Sequence, residues 1–379
     1  MVLFLLIKRK KITIQKIFFP FIYVIMYKTK SGVRFMENFA KKFSKQIKYI
    51  SYLSIVIGFL GMFLISFALL QNTYRLITKS KAVASFGIVL PVEARGVFYV
   101  PFFYWIISIF IVAVVHEFSH GIFAKKYGIK IKSSGLAFLS IIIPIVPAAF
   151  VEPEEEKLRK KEAIKQLSVF SAGPFSNILL AFIVIGVTIL LSIPISNKII
   201  EADGVLITGV INNVSYPAKK VGITENELIQ KIDNIAVNYL ENFSSILENK
   251  RPGDKITIET NKSSYNLILT ENPNNKSKPY LGIYVQQHTK IKKEFISKYG
   301  KIIPSTILWF MGLLYWLYVL NFGIGLVNLA PMGPLDGGRM LLVILEKIFT
   351  KEKARRYWKN IGILFLSLFL INIMFSFLG

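Results

Sequence analysis

Cysteine is absent from the 379-residue chain, and histidine occurs only three times. The first absence excludes disulfides and thiolate metal sites, so any metal must be held by His, Asp or Glu. Acidic residues are also scarce: 22 Asp+Glu stand against 47 Lys+Arg, a formal charge of +25. Such an excess suits either a nucleic-acid binder or a membrane protein with basic flanks. The basic residues cluster beside apolar runs and form no stripe interleaved with aromatics. The positive-inside rule explains that placement, and nucleic-acid binding does not. With 53% hydrophobic residues and a mean hydropathy of +0.51, the chain is too apolar for an ordinary soluble enzyme. Its expected surroundings are a lipid bilayer.

Five apolar runs, approximately 50–70, 101–124, 168–195, 304–330 and 360–378, are each long enough to cross a hydrocarbon core as helix. Two more, Ile17 to Tyr27 and Leu136 to Phe150, are too short. Residues 1–35 are basic and apolar in patches without a small-residue cleavage site, which reads as a basic leader or interfacial segment and not a signal peptide. Met36 is an alternative start. If the five spans alternate, Lys41, Lys42, Lys45 and Lys48, then Lys125, Lys126, Lys130 and Lys132, and then Lys351, Lys353, Arg355, Arg356 and Lys359 all fall on one side. That side is expected to be cytoplasmic in a multi-pass cell-membrane protein, with 71–100, 196–303 and the C-terminus outside.

Between the third and fourth runs the pattern changes. Alternation of apolar and polar residues replaces continuous apolarity in Asp254-Lys-Ile-Thr-Ile-Glu-Thr and Ser264-Tyr-Asn-Leu-Ile-Leu-Thr, with Asn-Lys-Ser as a turn between them. Short helices are expected at Ala218 to Val221, opened by Pro217 and closed by Gly222, and at Glu241 to Glu248. The resulting division is a basic N-terminal segment (1–47), a first membrane part (48–199), a β-rich insert (200–290) and a second membrane part (291–379). Four stretches carry a resemblance to PDZ domains of the protease-associated type: Gly204-Val-Leu-Ile-Thr-Gly-Val, Tyr216-Pro-Ala-Lys-Lys-Val-Gly-Ile, Glu227-Leu-Ile-Gln-Lys-Ile-Asp-Asn-Ile-Ala-Val and Arg251-Pro-Gly-Asp-Lys-Ile-Thr-Ile. The resemblance implies a partner in the form of an extended peptide or C-terminal tail added to a sheet edge. A β-rich spacer with an unused groove is the plainer alternative.

Chemistry concentrates in Val114-Val-His-Glu-Phe-Ser-His-Gly. In H-E-x-x-H on a helix, His116 and His120 share a face and can reach one metal ion. Glu117 is set to act as general base toward water there. Neutral imidazoles suit Zn2+, and such side chains within an apolar span are costly unless paired or metal-bound. A helix-packing histidine pair is the competing reading. A catalytic zinc site needs a third ligand. His288 lies at the exit of the insert, and Glu154-Glu-Glu sits in a charged loop. That leaves Asp336, in Asn328-Leu-Ala-Pro-Met-Gly-Pro-Leu-Asp-Gly-Gly, a Pro/Gly-broken stretch just beyond the fourth span. Spans two and four run in the same direction, so their ends can bring His116, His120 and Asp336 together.

H-E-x-x-H on one span and Asn-x-x-Pro…Leu-Asp-Gly after a later one resemble the site-2 protease family of intramembrane metalloproteases. The resemblance implies that His116, His120 and Asp336 bind zinc, that Glu117 is the general base, and that Asn328 holds the substrate backbone with Pro331 of the same motif. Ser171-Ala-Gly-Pro-Phe-Ser-Asn177 resembles the family's Gly-x-x-x-Asn segment and makes Asn177 a substrate-binding or ligand-supporting candidate. Gly333 stands where many relatives have proline. Leu136 to Phe150, with Pro144, Pro147 and Ile141-Ile-Ile, fits extended chain and resembles a membrane-reentrant β element. The fold class implied is a polytopic α-helical membrane protein with an inserted PDZ-like domain. Its expected substrates are transmembrane proteins cleaved within or near their spans, as in regulated intramembrane proteolysis. Two other classes compete: an idle membrane scaffold binding peptides through its insert, and a membrane metalloprotease taking its third ligand from a later glutamate.

Overall fold

The structure is a computed structural model describing residues 12–18, 22–78, 86–141 and 143–378. The first compact unit covers the chain to Thr188 and from Phe310 onward; the second is Ile189–Trp309. In chain order the first unit opens with strands β1 (Ile12–Phe18) and β2 (Ile22–Thr29), then helices α1 (Ser31–Lys42) and α2 (Ser44–Thr78). Strands β3 (Ile88–Leu90) and β4 (Val97–Tyr99) precede α3 (Phe102–Lys126). The hairpin β5 (Ile131–Ile141) and β6 (Ile143–Pro153) follows, then α4 (Glu155–Arg159) and α5 (Ala163–Ile199).

The stretch Ile17 to Tyr27, expected within a leader or interfacial segment, instead falls on β1 and β2; residues 1–11 and 19–21 lie outside the described residues. The pairing that makes it a sheet is non-local. β2 aligns antiparallel with β5, Ile22 opposite Ile141 and Thr29 opposite Ser134, giving a four-stranded sheet in the order β1-β2-β5-β6. Its strands are rich in β-branched and aromatic residues, which fit a pleated surface. Pro144 and Pro147 lie on β6, an edge strand, the place in a sheet where proline is tolerated. β6 packs against α3.

The second unit contains β7 (Ile200–Val210), α6 (Pro217–Lys220), β8 (Leu228–Ile232), β9 (Ile235–Ala236), α7 (Leu240–Glu248), β10 (Lys255–Thr260), β11 (Ser264–Ile268), β12 (Thr270–Asn272), β13 (Asn275–Tyr280), β14 (Ile283–Ile291) and α8 (Lys293–Tyr299). The chain then returns through α9 (Ile302–Val327), α10 (Asp336–Ile348) and α11 (Lys351–Leu378). The expected elements of the insert are present. The β10–β11 hairpin pairs Lys255 with Ile268 and Glu259 with Ser264, Pro217 opens α6, and Gly222 follows it at φ 80°. Its sheet runs β11-β10-β8-β7-β14 over a core that includes Val205, Ile207, Ile229, Ile232, Ile256 and Ile258. Alternation along β10 buries Ile256 and Ile258 and leaves Lys255 in water.

Helices α2, α3, α5, α9 and α11 are long and apolar enough to cross a membrane, matching the five runs read from the sequence. Their outward faces carry exposed Phe63, Leu190, Ile193 and Leu364. In the most apolar stretch of α11 only 6% of the residues are buried. Apolar surface on that scale belongs in lipid, and the chain is a multi-pass membrane protein.

Within the insert, Glu227 is 1% exposed and ties three segments. It accepts hydrogen bonds from Thr224 N–H and Oγ1 (2.9 and 2.7 Å), from Thr260 Oγ1 (2.8 Å) and from the Tyr265 hydroxyl (3.1 Å). Burial pushes its carboxyl upward, but the bonds from Thr224, Thr260 and Tyr265 outweigh that and hold it below the usual glutamate range. A depressed pKa contributes stability that is present above the unfolded value of about 4.3 and lost as pH falls through the folded value. Glu227→Ala should destabilise the insert by about 3 kcal/mol, read as lost amide-exchange protection across residues 205–258 of the full chain. Acidification should lower that protection in the parent more than in Glu227→Gln. Unchanged protection in the alanine variant would remove the role of this residue as a latch.

Candidate metal centre

α3 carries His116 and His120 one turn apart, so both rings leave the same face. Asp336 is the first residue of α10, with Leu335 extended before it; a carboxylate in the first turn is favoured by the exposed helix N–H groups. The preceding loop pairs part of its own backbone. Asn328 O accepts from Gly337 N–H (2.9 Å), and Met332 O accepts from Leu335 N–H (3.0 Å). Trp358 Nε1 donates to Gly338 O at 2.8 Å. A side chain at Gly337 would collide with the Leu329 carbonyl, so the return of the chain to Asp336 requires glycine there.

These elements bring His116 Nε2, His120 Nε2 and Asp336 Oδ2 together. The two ring nitrogens are 3.1 Å apart, and Asp336 Oδ2 lies 3.0 Å from His116 and 3.2 Å from His120. In tetrahedral zinc coordination, with donors about 2.0–2.1 Å from the ion, the donors stand about 3.3 Å from one another. The observed triangle fits that spacing, and two imidazoles with one carboxylate are a donor set suited to zinc. The side chains are 12%, 13% and 11% exposed respectively, so water offers little alternative solvation.

The surroundings complete the fit. His120 Nδ1 lies 2.6 Å from Val169 O on α5; a carbonyl can only accept, so the proton sits on Nδ1 and the Nε2 lone pair points to the other donors. A Cβ added at Gly173 would lie 2.6 Å from His116 Nε2 and closer still to His120 Nε2. That glycine leaves the space between the donors open. Glu117 Oε2 accepts the Val151 N–H of β6 at 2.9 Å, so the outer edge of the sheet holds the carboxylate beside the site.

A cavity of about 850 Å³ opens here, lined among others by His116, Glu117, His120, Asn328, Asp336 and Val151. The Asn328 side chain lines it and has no hydrogen-bond partner among the described residues. Pro331 is buried in the loop and does not line the cavity. Asn177 is fully buried, also outside the lining, with Nδ2 3.2 Å from His116 Nδ1. His288 lies on β14 of the insert opposite Gly204, with Nδ1 3.8 Å from Asp203. Sequence reasoning missed Gly173, Val151 and Val169. The first lay inside a quoted motif without being singled out. The other two act through backbone atoms, which leave no mark on residue type.

A membrane-embedded metallopeptidase is the class that these features define. The model of peptidase family M50 matches residues 104–369, and the chain belongs to that family; the enzyme is a metalloendopeptidase. A relative from Methanocaldococcus jannaschii, itself uncharacterised, is 30% identical over 88% of this chain and 80% of its own length. The zinc metalloprotease RasP of Shouchella clausii is 21% identical over 53% of this chain and 55% of its own. The PDZ domain of an SdrC-like protein from Listeria monocytogenes aligns with 22% of this chain and 87% of that domain at 25% identity; its TM-score of 0.20 carries no weight for the fold.

Gly173→Ala is expected to leave the chain folded but with less than about a tenth of the parent's bound zinc, since the added methyl occupies the space between the donors. Metal content of the purified protein measures this, and parent-like zinc in the variant would contradict the placement of the ion.

Proposed function

We propose that the protein hydrolyses peptide bonds within or near the transmembrane segments of other membrane proteins, using zinc held by His116, His120 and Asp336. One observation carries the reading: three donor atoms 3.0–3.2 Å apart share a cavity with Glu117, inside the helices expected to span the bilayer. When bound, zinc supplies Lewis acidity that polarises the scissile carbonyl and acidifies water. Glu117 takes the proton from the attacking water as its oxygen bonds to the carbonyl carbon. The carbon–nitrogen bond then breaks, and Glu117 returns that proton to the leaving amine. The Val151 N–H keeps its carboxylate aimed. The free Asn328 amide is available to hold the substrate backbone, while Pro331 acts through the shape of its loop.

Hydrolysis needs an exposed peptide carbonyl, and a helical substrate shields its own by intrahelical bonding. Edge strand β6, in the hairpin read as membrane-reentrant, offers an unwound segment a partner. The Lys/Arg flanks support a cytoplasmic site and an insert on the outer side, where a PDZ-like sheet would dock an extended peptide or trimmed C-terminal tail, or exclude bulky ectodomains. Regulated intramembrane proteolysis is the process that such an arrangement serves.

Glu117→Gln should keep its zinc while cleavage of a model transmembrane substrate falls by about 10²–10⁴-fold or more. Cleavage at the parental rate in the glutamine variant would sink the mechanism.

A further inference from the structure

We infer that Asn177 is a positioning residue for the metal site: its side-chain oxygen accepts the Nδ1–H of His116 and so fixes that ring with Nε2 free to ligate. The inference rests on the metallopeptidase reading above. It assigns to Asn177 a role that the sequence motif left between substrate binding and ligand support.

A neutral imidazole that ligates through Nε2 carries its proton on Nδ1, and that proton needs an acceptor. For His120 the acceptor is the Val169 carbonyl at 2.6 Å. For His116 the group in reach is the Asn177 amide, at 3.2 Å. Its oxygen is buried without a partner, on a residue with no exposed surface. One change of orientation gives that oxygen a partner. A half-turn of the amide places the orphaned Oδ1 against Nδ1–H, and because the amide O and N are nearly equal in size the turn needs no repacking. α9 holds the residue in place: a Cβ at Gly325 would come within 3.2 Å of Asn177 Cβ, so this helix packs tightly on that side. A substrate role is disfavoured by position, because Asn177 does not line the cavity.

The test is zinc affinity of the full chain, measured by chelator competition in detergent. Asn177→Ala removes the acceptor and should weaken zinc 10–100-fold. Asn177→Asp keeps oxygen and loses the N–H donor, and it should bind zinc within a few-fold of the parent. An alanine variant with parental affinity overturns the inference, as does a folded aspartate variant as weak as alanine. Should Asn177→Asp fail to fold, histidine-selective ¹⁵N spectra of the zinc-loaded parent and Asn177→Ala decide, since the chain has three histidines. The His116 Nδ1–H signal should shift while that of His120 stays, and an unmoved His116 signal overturns the assignment. A parent that takes up no zinc removes the underlying metallopeptidase reading and this inference together. A parent that binds zinc, with an alanine variant that binds it equally well, removes the inference alone.

Discussion

Two imidazoles and a carboxylate held within 3.2 Å of one another set the terms for the helices around them. Polar side chains at this depth cost too much to stand alone, so each must be paired, ligated or braced by a second group. His120 is braced by a backbone carbonyl, Asp336 by its place in the first turn of a helix, and Glu117 by a sheet-edge N–H. Every brace comes from a different element. The geometry of the centre thus fixes where α5, α10 and β6 can lie, and a shift of any one would cost a polar group its partner.

The same constraint explains how irregular backbone is tolerated beside the site. Between α9 and α10 the chain is non-helical for eight residues, 328–335, yet the amides of Asn328, Leu329, Ala330, Met332 and Leu335 find acceptors in the loop or the end of α9, and Trp358 of α11 covers Gly338. Such backbone survives at membrane depth when it is buried in protein or lines a cavity, and this loop does both. Glycine at 337 is what lets the chain double back closely enough. The proton acceptor for His120 likewise comes from helix backbone, so much of the centre's support is written in main-chain atoms.

That distribution decides what could be read from residues alone. H-E-x-x-H was legible because its side chains stand at a fixed local spacing, and Asp336 because its Pro/Gly-broken loop resembles a family motif and follows a span running in the same direction. The five spans were legible because lipid demands long apolar helices. The β10–β11 hairpin was legible from its two-residue period. The strands at Ile12–Phe18 and Ile22–Thr29 were not: β1 pairs only with β2, the partner of β2 on its other side, β5, lies more than a hundred residues on, and an apolar run of that length reads equally well as an interfacial segment. Val151 and Val169 escaped for a related reason, because a valine contributing its N–H or C=O looks like any other core valine. Gly173 sat inside a motif, but only the approach of α5 to both rings shows why a methyl group cannot be there.

Asp336 is 216 residues from His120 in sequence, with the whole insert between them, and closing so long a loop from a disordered chain would carry a large entropic cost. The insert lowers it by pairing its own ends. Ile200 lies opposite Ile291 on adjacent strands β7 and β14, and Lys292 N–H extends the ladder to Ile199 O. The chain therefore leaves at the end of α5 and returns beside that point toward α9. Contacts between those two helices then set the register: Val184 packs with Leu314 and Leu317, and the absence of a side chain at Gly325 lets α9 close against Asn177 and Ile178. Helix packing thus brings Asp336 to His116 and His120, while the insert folds on its own core.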